Sequence, residues 1–402
     1  MPDDNVNALA EEYWEALLDA VPVLGILIGD RRRDDRIEDL SVEGEAAQRA
    51  TWADLRTRTE AVDDAEHSVV ERATRGLLVG ELSEHIESID ARMAEFRYDQ
   101  MDGVHSSLLT IAPQVNAPTP DNATALVERH RKTAGMIDQA TDRFRAGLAA
   151  GRTPPALVVE RSLDQLDRYL ASPLDDDPLV TMAGPDGWDG ADAWRAELAD
   201  IVESDIRPAL QRYRHVLADE MAPAARGDDK AGLCWLEDGN ELYATLIRQH
   251  TSLDLDPEAV HAIGMEEVTE RLPGEYAEVG GRLFGTTDVA EVFERLRSDP
   301  ELRYANGEEI MDDARRCLGA AKAEMGEWFG RLPVADCEIQ PVPEFLAPSS
   351  PAAYYFPPAA DGSRPGGYFV NVHQPETKNR YETAAVAYHE AIPGHHLQLA
   401  IS

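Results

Sequence analysis

The chain has 402 residues, 43% of them hydrophobic, which is enough to bury a sizeable core and rules out disorder throughout. Its 38 basic and 76 acidic residues leave a formal charge of −38, which argues against nucleic-acid and anionic-membrane partners, since both need a basic face. The carboxylates are spread along amphipathic segments and lysine occurs only at Lys132, Lys230, Lys322 and Lys378, so the expectation is a cytoplasmic protein of a salt-rich cell, where ions screen the self-repulsion.

Met1-Pro2-Asp3-Asp4 does not read as the start of a signal peptide, and the apolar run from Val21 to Ile28 is far too short to span a bilayer, so neither secretion nor membrane insertion is expected. Leu9, Tyr13 and Leu17, with Trp14 and Leu18, form one helical stripe that ends at Pro22. Arg31-Arg32-Arg33, set among Asp30, Asp34 and Asp35, reads as an ion-paired loop. Helical spacing continues through Trp52 to Val62 and Ala65 to Phe96, and three prolines between Ala112 and Pro120 then exclude a helix.

Apolar residues return at helical spacing from Ala123 to Ala150 and from Ala156 to Leu170. The acidic, Pro/Gly-rich stretch Pro173 to Gly190 reads as a surface loop, and a long helix from Ala193 to Leu217 should kink at Pro208. Asp256-Pro257-Glu258 is a helix start with an Asp cap, and Val289, Val292, Phe293 and Leu296 stripe another helix. Cys234, Cys317 and Cys337 are too scattered for a disulfide framework and read as buried structural thiols.

Around Leu332 the pattern changes. Val334 to Phe345, Ala352 to Phe356 and Gly367 to His373 carry β-branched and aromatic residues at strand spacing, the last with Tyr368, Val370 and Val372 on one face and Phe369, Asn371 and His373 on the other. A turn-rich loop containing Arg364 precedes it. The fold class expected is mainly α, with a small β-sheet next to the last helix. Three regions, 1–111, 112–331 and 332–402, are expected to form one large domain.

The chemistry concentrates in Tyr388-His389-Glu390-Ala391-Ile392-Pro393-Gly394-His395-His396-Leu397-Gln398. A His-Glu pair with a second His one helical turn on is how zinc hydrolases set two imidazoles on a metal and a carboxylate beside the water. Here the fourth residue after His389 is Pro393. In an unbroken helix His395 would lie about 9 Å along the axis and about 240° round it, out of reach of a shared ion.

Pro393 itself breaks the helix, since it has no N–H for the His389 carbonyl, and Gly394 permits a tight return. A bulge from Ile392 to Gly394 would bring His395 back to the second ligand position. Spacing alone leaves open the plainer alternative, a helix that stops at Pro-Gly with two histidines in a solvated turn.

His-Glu-x-x-Pro-Gly-His-His-x-Gln, with Tyr354 to Asn371 before it, closely resembles the family catalogued as domain of unknown function 885, whose members look like gluzincin-type metallopeptidases. The resemblance extends to Tyr13–Leu40 and Tyr243–Val268. It implies one Zn2+ held by His389 and His395, with His396 as the alternative to His395, and Glu390 as general base in the hydrolysis of a peptide or small amide. It also implies a third ligand, a Glu in a later Glu-Gly-Trp-Ala-Leu-Tyr-like segment, expected beyond Ser402 because an apolar run reaches the chain end without a helix stop. The strand Gly367–His373 is then expected to serve as an edge for extended substrate. Tyr354, Arg364, Tyr368 and Asn371 are expected as the substrate wall. Two other classes remain open, a helical binding protein with a dead site and a zinc amide hydrolase acting on non-peptides.

Overall fold

The computed structural model describes residues 5–401 except 64, 66, 345, 360, 361 and 363. It is 68% helical with one three-stranded sheet, so the mainly-α expectation holds. Among the described residues no helix is long and apolar enough to cross a membrane. The chain divides into two compact units, Met1–Gly239 and Asn240–Ser402.

Among the described residues the regular elements of the first unit are helices. Helices Val6–Ala20, Val42–Glu60 and Val69–Asp90 enclose Leu9, Trp52, Leu55, Leu78, Leu82 and Ile86. Their starts are set by side-chain caps, Asn5, Ser41 and Ser68, the last in a capping box with Glu71. Arg32 and Arg33 both pair with Glu15, and Arg33 also reaches Asp19, so the arginine triplet is ion-paired as its sequence suggests. The proline-rich segment 112–120 contains no α-helix before Pro120, only the short 3-10 helix Ala112–Gln114. Thr119 caps the long helix Pro120–Ala149, and Pro120 takes its first turn.

The stretch Pro173 to Gly190 departs from its sequence reading. It carries no α-helix or strand, yet Leu179, Val180 and Met182 are buried and Asp177 is wholly so. The Asp177 carboxylate draws the loop inward by accepting hydrogen bonds from the Tyr169 hydroxyl at 2.8 Å, from Arg207 Nη2 at 2.8 Å and from the Leu179 N–H at 3.0 Å. A charge so completely withdrawn from water persists only when paired and hydrogen-bonded. Cys234 is likewise exposed, not buried, whereas Cys317 and Cys337 are buried free thiols.

Pro208 does not interrupt its helix. The segments Ala191–Ile201 and Arg207–His215 run on through a π-helical turn at Val202–Ile206, which widens the backbone just ahead of the proline.

His105 is fully buried in this unit between the Tyr213 hydroxyl, 2.9 Å from Nδ1, and Gln165 Oε1, 3.0 Å from Nε2. Desolvation holds its pKa down to about 4, against 6.5 in the open chain. The unfolded chain therefore takes up this proton below pH 6.5 while the folded chain refuses it until about pH 4, so stability present above pH 6.5 falls away between those values. The expected loss between pH 7 and pH 4 is roughly 3 kcal/mol. Urea unfolding should show that loss in the native chain and not in His105→Gln, which cannot ionise.

In the second unit Asp256 caps the helix Pro257–Glu266, accepting from the Glu258 N–H at 2.8 Å, and Asp288 caps Val289–Ser298. Helix Gly307–Trp328 then presents Ile310, Met311, Ala314, Cys317 and Leu318 to a core shared with the sheet and the motif helix. Strands β1 (Cys337–Pro341), β2 (Ala353–Phe356) and β3 (Gly366–Val370) lie in the order β1-β3-β2. β3 runs parallel to β1 and antiparallel to β2. The strand expected to present an edge is thus the central one, with both sides paired, and β1 and β2 form the edges. The strand reading's far end, Phe345, and the turn residues Asp361 and Ser363 lie outside the described residues.

Candidate metal centre

The motif helix Thr383–Glu390 is held on the core by Ala387, fully buried, and the chain beyond it by Ala391 and Ile392. The helix ends at Glu390 because the residue that should donate to the His389 carbonyl is Pro393. The chain turns through a cis Ile392–Pro393 peptide and resumes helix at Gly394–Ile401. The two helical pieces are stitched by the His396 N–H to the Ala391 carbonyl at 2.9 Å, five residues back, and by the Leu397 N–H to the Pro393 carbonyl at 2.9 Å. Gly394 is packed so closely under the His389 carbonyl that a Cβ there would overlap it.

The consequence is that His395 comes back beside His389. Their ring centroids are 4.9 Å apart with planes at 80°, and Glu390 Oε2 is 3.7 Å from His395 Nε2. One ligand atom from each of His389, Glu390 and His395 can be chosen so that all lie within 4.8 Å of one another. His389 is exposed and the other two are partly so, which leaves the group open to solvent.

The donor set suits zinc, which takes imidazole nitrogen and carboxylate oxygen at about 2.0–2.2 Å, so that ligand atoms of a tetrahedral ion stand about 3.3 Å apart. Among the described residues no fourth His, Cys, Asp or Glu joins the group.

His396, the alternative ligand, is placed elsewhere. It is 2% exposed, with Nε2 3.0 Å from the Ala335 carbonyl and Nδ1 2.8 Å from the Tyr355 hydroxyl. A carbonyl only accepts, so Nε2 carries the proton and Nδ1 accepts from Tyr355. Both nitrogens are occupied, and burial lowers the pKa of the ring. His396 is therefore not available to a metal shared with His389.

Of the expected substrate wall, Tyr354 turns away from the motif, while Tyr368 and Asn371 are buried. In the β2 alternation Tyr354 points to the far face, stacked on Phe369 with centroids 4.9 Å apart, and burial pushes its hydroxyl up to about 12. Tyr368 is 1% exposed inside the core, its pKa raised by burial first and then by neighbouring thiols and the Glu390 charge. Asn371 is buried and fully used: its Nδ2 donates to the carbonyls of Ala347, Ser350 and Pro351, and its Oδ1 accepts from the His373 N–H. It clamps the loop before β2. The Arg364 charge acts on the Tyr355 hydroxyl, opposing the rise that burial causes.

The residue that sequence reading missed is Tyr355. Its ring lies 6.2 Å from that of His395 with planes at 24°, besides its bond to His396. The sequence signal was strand alternation, but choosing Tyr355 over Tyr354 needs the pairing of Tyr355 with Tyr368 across β2 and β3, a pairing of distant residues.

Residues 22–402 match the family described as bacterial protein of unknown function, DUF885. The chain belongs to this family. The DUF885 chain is also similar in fold to two solved structures, described as "the putative lipoprotein from Colwellia psychrerythraea" and "a putative lipoprotein of unknown function from Shewanella oneidensis". The first has a TM-score of 0.85 at 19% identity and covers 99% of this chain and 73% of the other. The second has a TM-score of 0.62 at 16% identity, with 98% and 70% covered. No curated protein matches this DUF885 chain.

Proposed function

We propose that this DUF885 protein is a zinc-dependent hydrolase of peptide bonds, of gluzincin type. The observation that carries the reading is the break at Pro393-Gly394, which sets His395 beside His389 with Glu390 between them in sequence and 3.7 Å from His395 in space. A helix interrupted to bring two imidazoles and a carboxylate together is difficult to explain as packing, because the three side chains face solvent.

Zinc, when bound, supplies Lewis acidity that lowers the pKa of water to about 7 and polarises the scissile carbonyl. His389 and His395 would hold the ion through neutral ring nitrogens. Glu390 takes a proton from the attacking water and returns it to the leaving amine, a role that keeps its carboxylate beside the ion, not coordinated to it. A further protein ligand is then supplied by a residue outside the described group, as the resemblance implies. The free side of β2 supports an extended peptide backbone as substrate, since Tyr355 places that strand next to His395. An open apolar groove of about 400 Å³ lined by Met325, Trp328, Phe329, Tyr388 and Pro393 borders the motif and suits an apolar side chain.

Elemental analysis after zinc loading and dialysis should give one zinc per chain, abolished in His389→Ala, and a panel of peptides and non-peptide amides should show cleavage of peptides. Zinc-free protein, or equal zinc in wild type and His389→Ala, would refute the metal site. Cleavage confined to non-peptide amides would reassign the substrate.

A further inference from the structure

We propose that His396 and Tyr355 form a positioning pair that holds the His395 imidazole in the direction needed to bind metal; this rests on the metal-site reading above. The histidines that ligate metals are usually oriented by a hydrogen bond from the second ring nitrogen to a carboxylate or carbonyl. His395 has no such bond among the described residues; Glu390 stands 3.7 Å from its Nε2 and the His389 ring lies beside it. Its orientation must come from somewhere else.

Two contacts supply it. The first is the ring of Tyr355, stacked at 24° to that of His395, which closes one side of its rotation. The second acts through the backbone. Neighbouring residues of a helix project about 100° apart, so fixing one ring fixes the direction from which the next departs. His396 is fixed from both ends: its Nε2–H donates to Ala335, just before β1, and its Nδ1 accepts from Tyr355 on β2. One buried imidazole thus ties the helix that carries His395 to both edges of the sheet.

The sequence around it leaves room for this bond and no more. A Cβ on Gly366 would stand 2.7 Å from His396 Nδ1 and 2.8 Å from the Tyr355 hydroxyl, closer than real Cβ contacts come. The glycine at the start of β3 is the space in which the Tyr355–His396 hydrogen bond forms.

The test measures zinc affinity by competition with a chromophoric chelator, alongside thermal unfolding of the metal-free protein, for wild type, Tyr355→Phe and Tyr355→Leu. Tyr355→Phe keeps the ring and loses only the bond to His396, so zinc should bind about tenfold more weakly; Tyr355→Leu loses both contacts, and the loss should approach a hundredfold. In the metal-free wild type, imidazole nitrogen NMR should show His396 as a single Nε2–H tautomer with Nδ1 accepting a hydrogen bond, and in Tyr355→Phe the same tautomer with the Nδ1 signal shifted to that of an acceptor that has lost its donor, while the Phe variant remains folded at the assay temperature. Unchanged zinc affinity in Tyr355→Phe and Tyr355→Leu, with wild type binding zinc, overturns the positioning pair alone. An affinity loss that only follows unfolding of the metal-free Phe variant overturns it too, in favour of a purely structural role. A wild type without zinc overturns the metal site and the pair with it.

Discussion

Glu390→Gln should keep its zinc and lose peptide hydrolysis by about a hundredfold or more, the contribution of a placed general base. Gln preserves the size of Glu and its hydrogen bonding but cannot take a proton from water. The same substitution separates the two roles open to this side chain. Its oxygen is near enough to His395, at 3.7 Å, to belong to the group of candidate ligand atoms. If Glu390 were a ligand, Gln would replace an anionic donor with a neutral one and zinc would leave with the activity. His389→Ala and His395→Ala should lose both metal and activity, because each removes one of the two imidazoles that converge. His396→Ala should weaken zinc without abolishing it, since that ring already spends both nitrogens on Ala335 and Tyr355. Elemental analysis beside a peptide-cleavage assay reads all four. Undiminished hydrolysis by Glu390→Gln would reject the mechanism.

Much of this is legible in the residues, and the part that is not has a common cause. Helices declare themselves locally: Asp256-Pro257-Glu258 names its own cap and first turn, and the structure places the cap bond there. The break in the motif is equally local, since Pro393 and Gly394 sit at the positions where a donor is lost and a tight return is required. What fails is whatever depends on a partner far along the chain. β3 reads as an edge strand because nothing near it reveals β1, whose Cys337 pairs with Gly366. Tyr354 and Tyr355 are indistinguishable until β3 decides which of them faces the motif. Pro173 to Gly190 reads as solvent loop because its composition is polar, and only the Arg207 and Tyr169 partners of Asp177 make burial tolerable. His396 looks like a ligand for the same reason. A histidine's chemistry is set by what meets its two nitrogens, and here one partner is on β2 and the other just before β1.

Gly394→Ala should cost about 3 kcal/mol in the stability of the second unit, the upper part of the usual range for overpacking, and remove zinc binding. The site tolerates no Cβ. An added methyl would overlap the His389 carbonyl oxygen and stand 2.6 Å from that of Tyr388. Both obstacles are backbone atoms at the end of a helix held by Ala387 and Ala391 in the core, so neither can swing aside as a flexible side chain would. The returning helix must move instead, and it carries His395 and His396 on its next two residues. Displacing it separates the His395 ring from His389 and strains the bonds of His396 to Ala335 and Tyr355. Gly319→Ala is the control, a glycine inside helix Gly307–Trp328 whose added Cβ meets nothing within 4 Å. There the substitution should be neutral or stabilising by up to about 1 kcal/mol, through helix propensity alone. Thermal unfolding and chelator competition on the two variants compare the cases directly, and a Gly394→Ala protein that melts and binds zinc like wild type would show that the close approach of Gly394 to the His389 carbonyl does not shape the site.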